Sequence, residues 1–213
     1  MFNVDAFLSY LVNPYLLGGV GITIGLTITT ILIGLVLALP LALAITRSER
    51  AANAAIAGVN VLRTIPSLAL LVIMLPFLGT GFVPAVVALT LYGLPAILIN
   101  TYTGLREVDR DIVEAARGQG MTDAGIMRRI EVPLALPVIF AGVRTAAVQI
   151  VSAATLAAFI GGGGLGELIT AGMGVLDMPQ LMVGGLAVAL LAVATELGFA
   201  GIEWRARRAF GAA

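Results

Sequence analysis

Long apolar runs broken by short polar stretches pattern this chain from end to end. Runs over about 20–45, 54–78, 83–105, 138–160 and 181–203 each reach the ~20 residues that a helix needs to cross a hydrocarbon core of about 30 Å. A spanning segment must satisfy its backbone hydrogen bonds internally, and runs of this length do so as helices rather than as barrel strands. The expectation is an all-α integral membrane protein of five transmembrane helices, one domain over residues 1–213.

Between the runs, the breaks differ in kind. Residues 1–17 place Phe2, Phe7, Tyr10 and Tyr15 among polar neighbours and read as a short interfacial helix or a partly ordered tail. They lack a basic start and include Asp5, Asn13 and Pro14, so no signal peptide is expected and the first span is expected to remain in the mature protein. The threonines at 23, 27 and 30 suit hydrogen bonds back to their own helix. The second element bends at Pro66 and leaves the membrane at Gly79-Thr80-Gly81, a turn short enough to make spans two and three antiparallel neighbours. Pro95 is expected to kink the third span. The glycine run from Gly161 opens a segment over 161–180 too broken for a span, re-entrant only if protein or water covers its backbone.

Composition agrees with a membrane protein: 60% of residues are hydrophobic, 11% are charged and the mean hydropathy is +1.07, against roughly 25% charged in soluble domains. All twelve basic residues are arginine and the formal net charge is zero, so nothing in the overall field points to nucleic acid. Their placement carries more information. Arg47 and Arg50 follow the first span, Arg106, Arg110, Arg117, Arg128 and Arg129 lie between the third and fourth, and Arg205, Arg207 and Arg208 follow the fifth. The segments on the other side hold none, which places the N-terminus outside and the C-terminus in the cytoplasm. Histidine and cysteine are absent, which removes thiol nucleophiles and the usual soft metal ligands; the chain is not expected to be an enzyme.

The polar loop over 106–137 carries the most specific pattern. Glu114-Ala115-Ala116 precede Gly120 by six residues counted from the glutamate, and Ile130 and Pro133 follow Gly120 by ten and thirteen. Asp111 to Arg117 favours a helix with acid in its first turn, Gly118 and Gly120 break it where a side chain would obstruct close approach, and Thr122 or Asp123 can cap a second short helix running to Ile130. A compact helix-turn-helix knob with small residues at its tip is expected.

This spacing resembles the "EAA" signature of permease subunits of ATP-binding-cassette importers, with Val132 where the pattern has leucine. The phrases Arg63-Thr64-Ile65-Pro66-Ser67, Val132 to Ile139 and Ala154-Thr155-Leu156-Ala157-Ala158 are similar to the branch that carries osmoprotectants such as glycine betaine, choline and carnitine. The resemblance implies the type I importer fold shared with methionine-type permeases. It implies a bacterial cytoplasmic membrane, two ATP-binding subunits, a second permease subunit, identical or paralogous, and an extracytoplasmic solute-binding protein. ATP and magnesium would be held by the partner ATPase, with no cofactor in this chain. Glu114, Ala115, Ala116, Gly118, Gly120, Met121, Thr122 and Asp123 become the candidates for ATPase docking. The branch usually has alanine at the position of Gly162, which implies a looser loop here.

Polar residues inside the spans are the remaining candidates. Arg144 and Glu196 stand at equal depth from the inner boundary, suiting an intramembrane ion pair between spans four and five. Gln149, Ser152 and Thr155 recur at a spacing of three; they either line a pathway with Met74 and Tyr92 or bond helix to helix. No aromatic cage for a quaternary ammonium is visible, since only Tyr92 and Tyr102 fall within spans, so selectivity is expected mainly in the binding protein. The rival readings are a permease for an amino acid such as methionine, and an ATPase-independent secondary transporter. The latter would carry more membrane carboxylates than Glu196 and an internal inverted repeat.

Overall fold

A computed structural model describes residues 4–210 and places almost all of them in helices. Phe2 lies outside the described residues, as does the side chain of Arg207. The chain begins with α1 (Val4–Leu11) and turns at Asn13, whose side chain caps α2 (Pro14–Ile45) by accepting from the Tyr15 N–H at 3.0 Å. Pro14 opens that helix, where its missing N–H removes no bond.

Ser48 caps α3 (Glu49–Thr64), and α4 (Ser67–Leu78) follows. The two meet at 95°, far sharper than a proline kink in a continuous span. Ile65 and Pro66 are both extended, with ψ of 124° and 139°. A proline pushes the residue before it out of the helical region, so the break spans two residues rather than one. At 12 residues, α4 is about 18 Å long and does not cross a hydrocarbon core by itself.

Next come α5 (Phe82–Arg106), unbroken through Pro95, then α6 (Arg110–Gly118) and α7 (Asp123–Ile126). The expected second short helix of the loop does not end at Ile130. From α7 the chain passes through a π turn (Met127–Glu131) into α8 (Val132–Ala154) and a final 3₁₀ stretch (Thr155–Ile160), one helical run from Asp123 to Ile160. The Val132 N–H bonds to the Met127 carbonyl, five residues back. This register change directly precedes Pro133, so the missing proline donor falls where the bonding is already rearranged. The chain closes with α9 (Leu165–Val175) and α10 (Met178–Phe210). Among the described residues, four helical runs are long and apolar enough to cross a membrane, and the bent pair α3 and α4 makes up to five.

The core forms where α5 packs on α8 and α2, with Leu26, Leu89, Ile97, Ala146 and Ile150 essentially inaccessible. Small residues set the spacing. A Cβ at Gly142 of α8 would lie 2.9 Å from the Ala96 carbonyl oxygen of α5, and one at Gly104 of α5 would lie 2.9 Å from Cβ of Val138. Helices in lipid gain little from apolar contact as such, so close backbone approach of this kind is a main source of their association.

At the end opposite the 106–131 loop, the glycine run forms a dense knot rather than a loose loop. Residues 162–166 are all buried. The Gly81 N–H donates to the Ile160 carbonyl at 2.8 Å, and the Leu165 N–H donates to Oγ1 of Thr23 at 3.0 Å. An added Cβ at Gly162 would stand 2.9 Å from Cβ of Ala157 and 3.0 Å from Cβ of Ala85. The looseness expected from glycine at 162 is therefore absent, because the space that an alanine methyl would use is filled by these neighbours. Thr23 and Thr27 do bond back to their own helix, at 2.9 and 2.8 Å, while Thr30 Oγ1 is buried without a partner.

Candidate functional site: the polar knob and the charged lock behind it

The knob is built by local rules. Asp109 caps α6 by accepting from the Asp111 N–H at 2.9 Å. The helix then ends in a Schellman turn: Gly120 takes φ of 82°, its N–H donates to the Arg117 carbonyl at 3.0 Å, and the Met121 N–H donates to the Ala116 carbonyl at 3.2 Å. Only glycine adopts this conformation without strain, so Gly120 is required by the backbone. Thr122 caps the next helix by accepting from the Gly125 N–H at 3.2 Å, and Arg117 bridges the turn to Asp123 at 3.1 Å. That bridge is exposed on both sides and adds little by itself. Ala116 of α6 and Ile126 of α7 are the buried residues of the knob.

The residues singled out in the loop divide cleanly. Ala116 is buried and structural, and Met121 is half-buried. Glu114, Ala115, Gly118, Gly120, Thr122 and Asp123 are exposed, and a Cβ at Gly118 or Gly120 would meet nothing within 4 Å. Within this chain no neighbour demands a small residue at 118. A concavity of about 510 Å³ opens beside the turn, lined by Met121, Thr122, Ala124, Gly125, Arg128 and Arg129. The two arginines and the Ala124–Gly125 floor are additions that the motif spacing did not point to. Their clustering follows from α7 turning its polar side outward while Ile126 faces in.

Behind the knob, the structure brings Arg144 and Glu196 together and adds a third residue. Nε of Arg144 donates to Oε1 of Glu196 at 2.9 Å, a terminal guanidinium nitrogen donates to the same oxygen, and the other donates to Oε2 of Glu203 at 2.9 Å. Glu203 is nearly inaccessible. Glu196 and Glu203 are seven residues apart, two helical turns, so they share one face of α10 and both reach α8. One planar guanidinium thus grips two turns of α10, a task suited to arginine's fixed fork of donors.

The five residues proposed for a pathway line neither the concavity beside the knob nor the cavity at the opposite end. Met74 and Tyr92 pack against the core from α4 and α5. Ser152 is exposed and its hydroxyl donates to the Val148 carbonyl at 3.0 Å, Thr155 donates to the Ser152 carbonyl at 2.7 Å, and Gln149 is half-buried on α8. The hydroxyls of Ser152 and Thr155 are committed to their own helix.

Comparison with known proteins places this geometry in context. The family model of the binding-protein-dependent transport system inner membrane component matches residues 30–202. The glycine betaine/carnitine/choline transport system permease protein OpuCB of Bacillus subtilis (strain 168) is 44% identical over 169 residues, 79% of this chain and 77% of that protein. The carnitine transport permease protein OpuCB of Listeria monocytogenes is 41% identical over 181 residues, 84% and 83% of the two chains. Among solved structures, an inward-facing form of the MetNI methionine ABC transporter superposes with a TM-score of 0.82 at 25% identity, covering 90% of this chain and 96% of that one.

Proposed function

The chain belongs to the family of binding-protein-dependent transport system inner membrane components, and we propose that it forms the translocation path for a quaternary-ammonium osmoprotectant such as glycine betaine, choline or carnitine. In this reading a solute-binding protein delivers the solute, and a partner ATPase that holds ATP and magnesium drives the cycle. Two permease subunits enclose the path and each docks one ATPase. The choice of solute rests on relatives at 41–44% identity, against 25% for the methionine transporter of like fold. The arginine asymmetry supports an orientation with the 106–131 loop in the cytoplasm and α1 outside.

The observation that carries the ATPase partner is the knob itself. Its tip exposes Glu114, Ala115, Gly118 and Gly120 with no internal use for the small residue at 118, and the two bare glycines leave the backbone there open to close approach by a partner. Transmission follows from continuity. From Asp123 to Ile160 the backbone is one helical run, so a displacement at Thr122 travels along α8 without crossing a loop. Arg144 then obliges α10 to follow, through Glu196 and Glu203. Ser152 and Gln149 lie further along the same rod, and their rotation would alter what a path beside α8 presents to a solute.

Co-purification from native membranes tests this reading, comparing the tagged wild-type chain with Gly120→Arg. The ATPase subunit is expected with the wild type and not with the variant, while the variant still purifies with its second permease. A wild-type chain that brings down no ATPase in mild detergent would refute it.

A further inference from the structure

A second cavity lies at the end of the bundle opposite the knob, in the angle between the α1–α2 junction and α9, with a volume of about 540 Å³. That volume falls in the range of small-molecule sites. Its floor is apolar and close-set, from Gly19, Ile22, Gly164, Leu168 and Ala171, and its polar edge comes from Tyr10, Tyr15, Glu167 and Gln180.

The groups at that edge have fixed roles. The Tyr10 hydroxyl donates to Oδ2 of Asp177 at 2.8 Å, which tethers the ring and holds its pKa above the ordinary phenol value, so it stays neutral. Asn13 directs the start of α2 and so the approach of Tyr15. Glu167 makes no ion pair among the described residues, and residues 1–22, 79–82 and 160–180 contain no arginine. Among the described residues, the charged side chains at this end are acidic: Asp5, Glu167 and Asp177. An anion is disfavoured for a second reason. The N–H of Leu165 at the start of α9 is already used by Thr23, and that of Glu167 by the Gly164 carbonyl, so these donors are not offered to a ligand.

We propose that this cavity binds an organic cation of the quaternary-ammonium class, with the tyrosines supplying π faces, Glu167 the counter-charge and the glycine-lined floor an apolar surface for methyl groups. Aromatic faces attract such cations through the ring quadrupole, and an exposed carboxylate beside them adds a solvent-screened coulombic attraction. The preference for a cation comes from the site; the choice of a quaternary ammonium rests on the proposed solute. Choline, a pure cation, binds here better than glycine betaine, whose own carboxylate meets Glu167. The same chemistry is offered by a free solute or by the ammonium of a lipid headgroup.

The test uses the permease with its ATPase in nanodiscs of phosphatidylglycerol, without the binding protein, and reads retention of labelled choline by equilibrium dialysis. Saturable retention is expected in the wild type, with affinity lowered about fivefold or more in Glu167→Gln and in Tyr15→Ala. Both residues are exposed, so neither change removes core packing. Replacing part of the lipid by phosphatidylethanolamine separates the sources. Competition supports the site with the headgroup as its ligand, and its absence supports the site with free solute. Equal retention by wild type and both variants, or none in any, overturns the proposal. Uptake by the complete importer with its binding protein is read in parallel. Quaternary-ammonium uptake alongside variant-insensitive retention overturns the cavity alone; Glu167-dependent retention without such uptake overturns the proposed solute alone.

Discussion

Two glycine-rich stretches, Gly118–Gly120 in the knob and Gly161–Gly166 at the opposite end, look alike as sequence and are opposites as structure. At the far end neighbours fill the space beside Gly162, Gly164 and Gly166: a Cβ on Gly166 would run into the Thr155 carbonyl, and one on Gly164 would stand 2.7 Å from Oγ1 of Thr23. In the knob a Cβ meets nothing. One stretch is shaped by the packing of its neighbours; in the other the space beside each glycine is open, and only the left-handed backbone of Gly120 asks for glycine. Glycine content alone does not separate packed glycines from open ones; the surroundings of the missing methyl do.

Filling the far end should therefore break the fold, and this is the largest effect expected. Gly166→Ala forces a methyl into a backbone oxygen that is pinned by the 3₁₀ end of the α8 run. Overpacking against backbone costs about 3 kcal/mol. The expected result is a lower unfolding midpoint in detergent and poor recovery of the purified chain.

A smaller loss comes from removing the polar tie of the same knot. Thr23→Val keeps the shape of the side chain but leaves the buried Leu165 N–H without its acceptor, a loss of about 1–3 kcal/mol. Thr23→Ser should restore most of it, because the hydroxyl is what the N–H uses. Denaturation midpoints of the three proteins check this, and equal midpoints for Val and Ser would show that packing, not the hydrogen bond, holds α9 to α2.

The knob should respond in the other currency, partner binding. Gly120→Arg strains the left-handed position by about 1 kcal/mol and places bulk on an open tip, so ATPase retention should fall by roughly tenfold or more. Unfolding of the permease alone should move little. A variant that loses fold and partner together would erase the contrast between the two stretches.

Much of this layout was legible in the sequence, and the exceptions have physical reasons. Apolar run length placed the membrane-length helices, and loop arginines distinguished the two ends before any contact was known, because both are properties of local composition. The Glu114 to Pro133 spacing located the knob. The 95° bend exceeded the expectation at Pro66 because proline shows that a helix is disturbed, not how far two adjacent residues will extend. The loop's second helix ran on into α8 because a π turn absorbed the proline, and no residue type announces a π turn. Glu203 read as the boundary of the last span, although its two-turn spacing from Glu196 was available as a signal for a second ligand to Arg144. The Thr23 bond to Leu165 joins residues 142 apart, and nothing local in either segment encodes it.

The finest test of the comparison is Gly118→Ala, where stability and coupling should move in opposite directions. Gly118 is the last residue of α6, lies outside the left-handed region, and has open space where the methyl would go. Alanine loses less backbone freedom on entering a helix, so the isolated permease should gain about 0.5–1 kcal/mol. If the bare tip exists for a partner, that methyl still obstructs the groove, and ATPase retention should fall modestly, by roughly two- to fivefold. A stabilised permease that docks less well would show that the glycine is held at 118 against the chain's own interest. A stabilised permease that docks equally well would confine the docking surface to Gly120 and the Met121 to Arg129 concavity, and would make Gly118 a simple helix end.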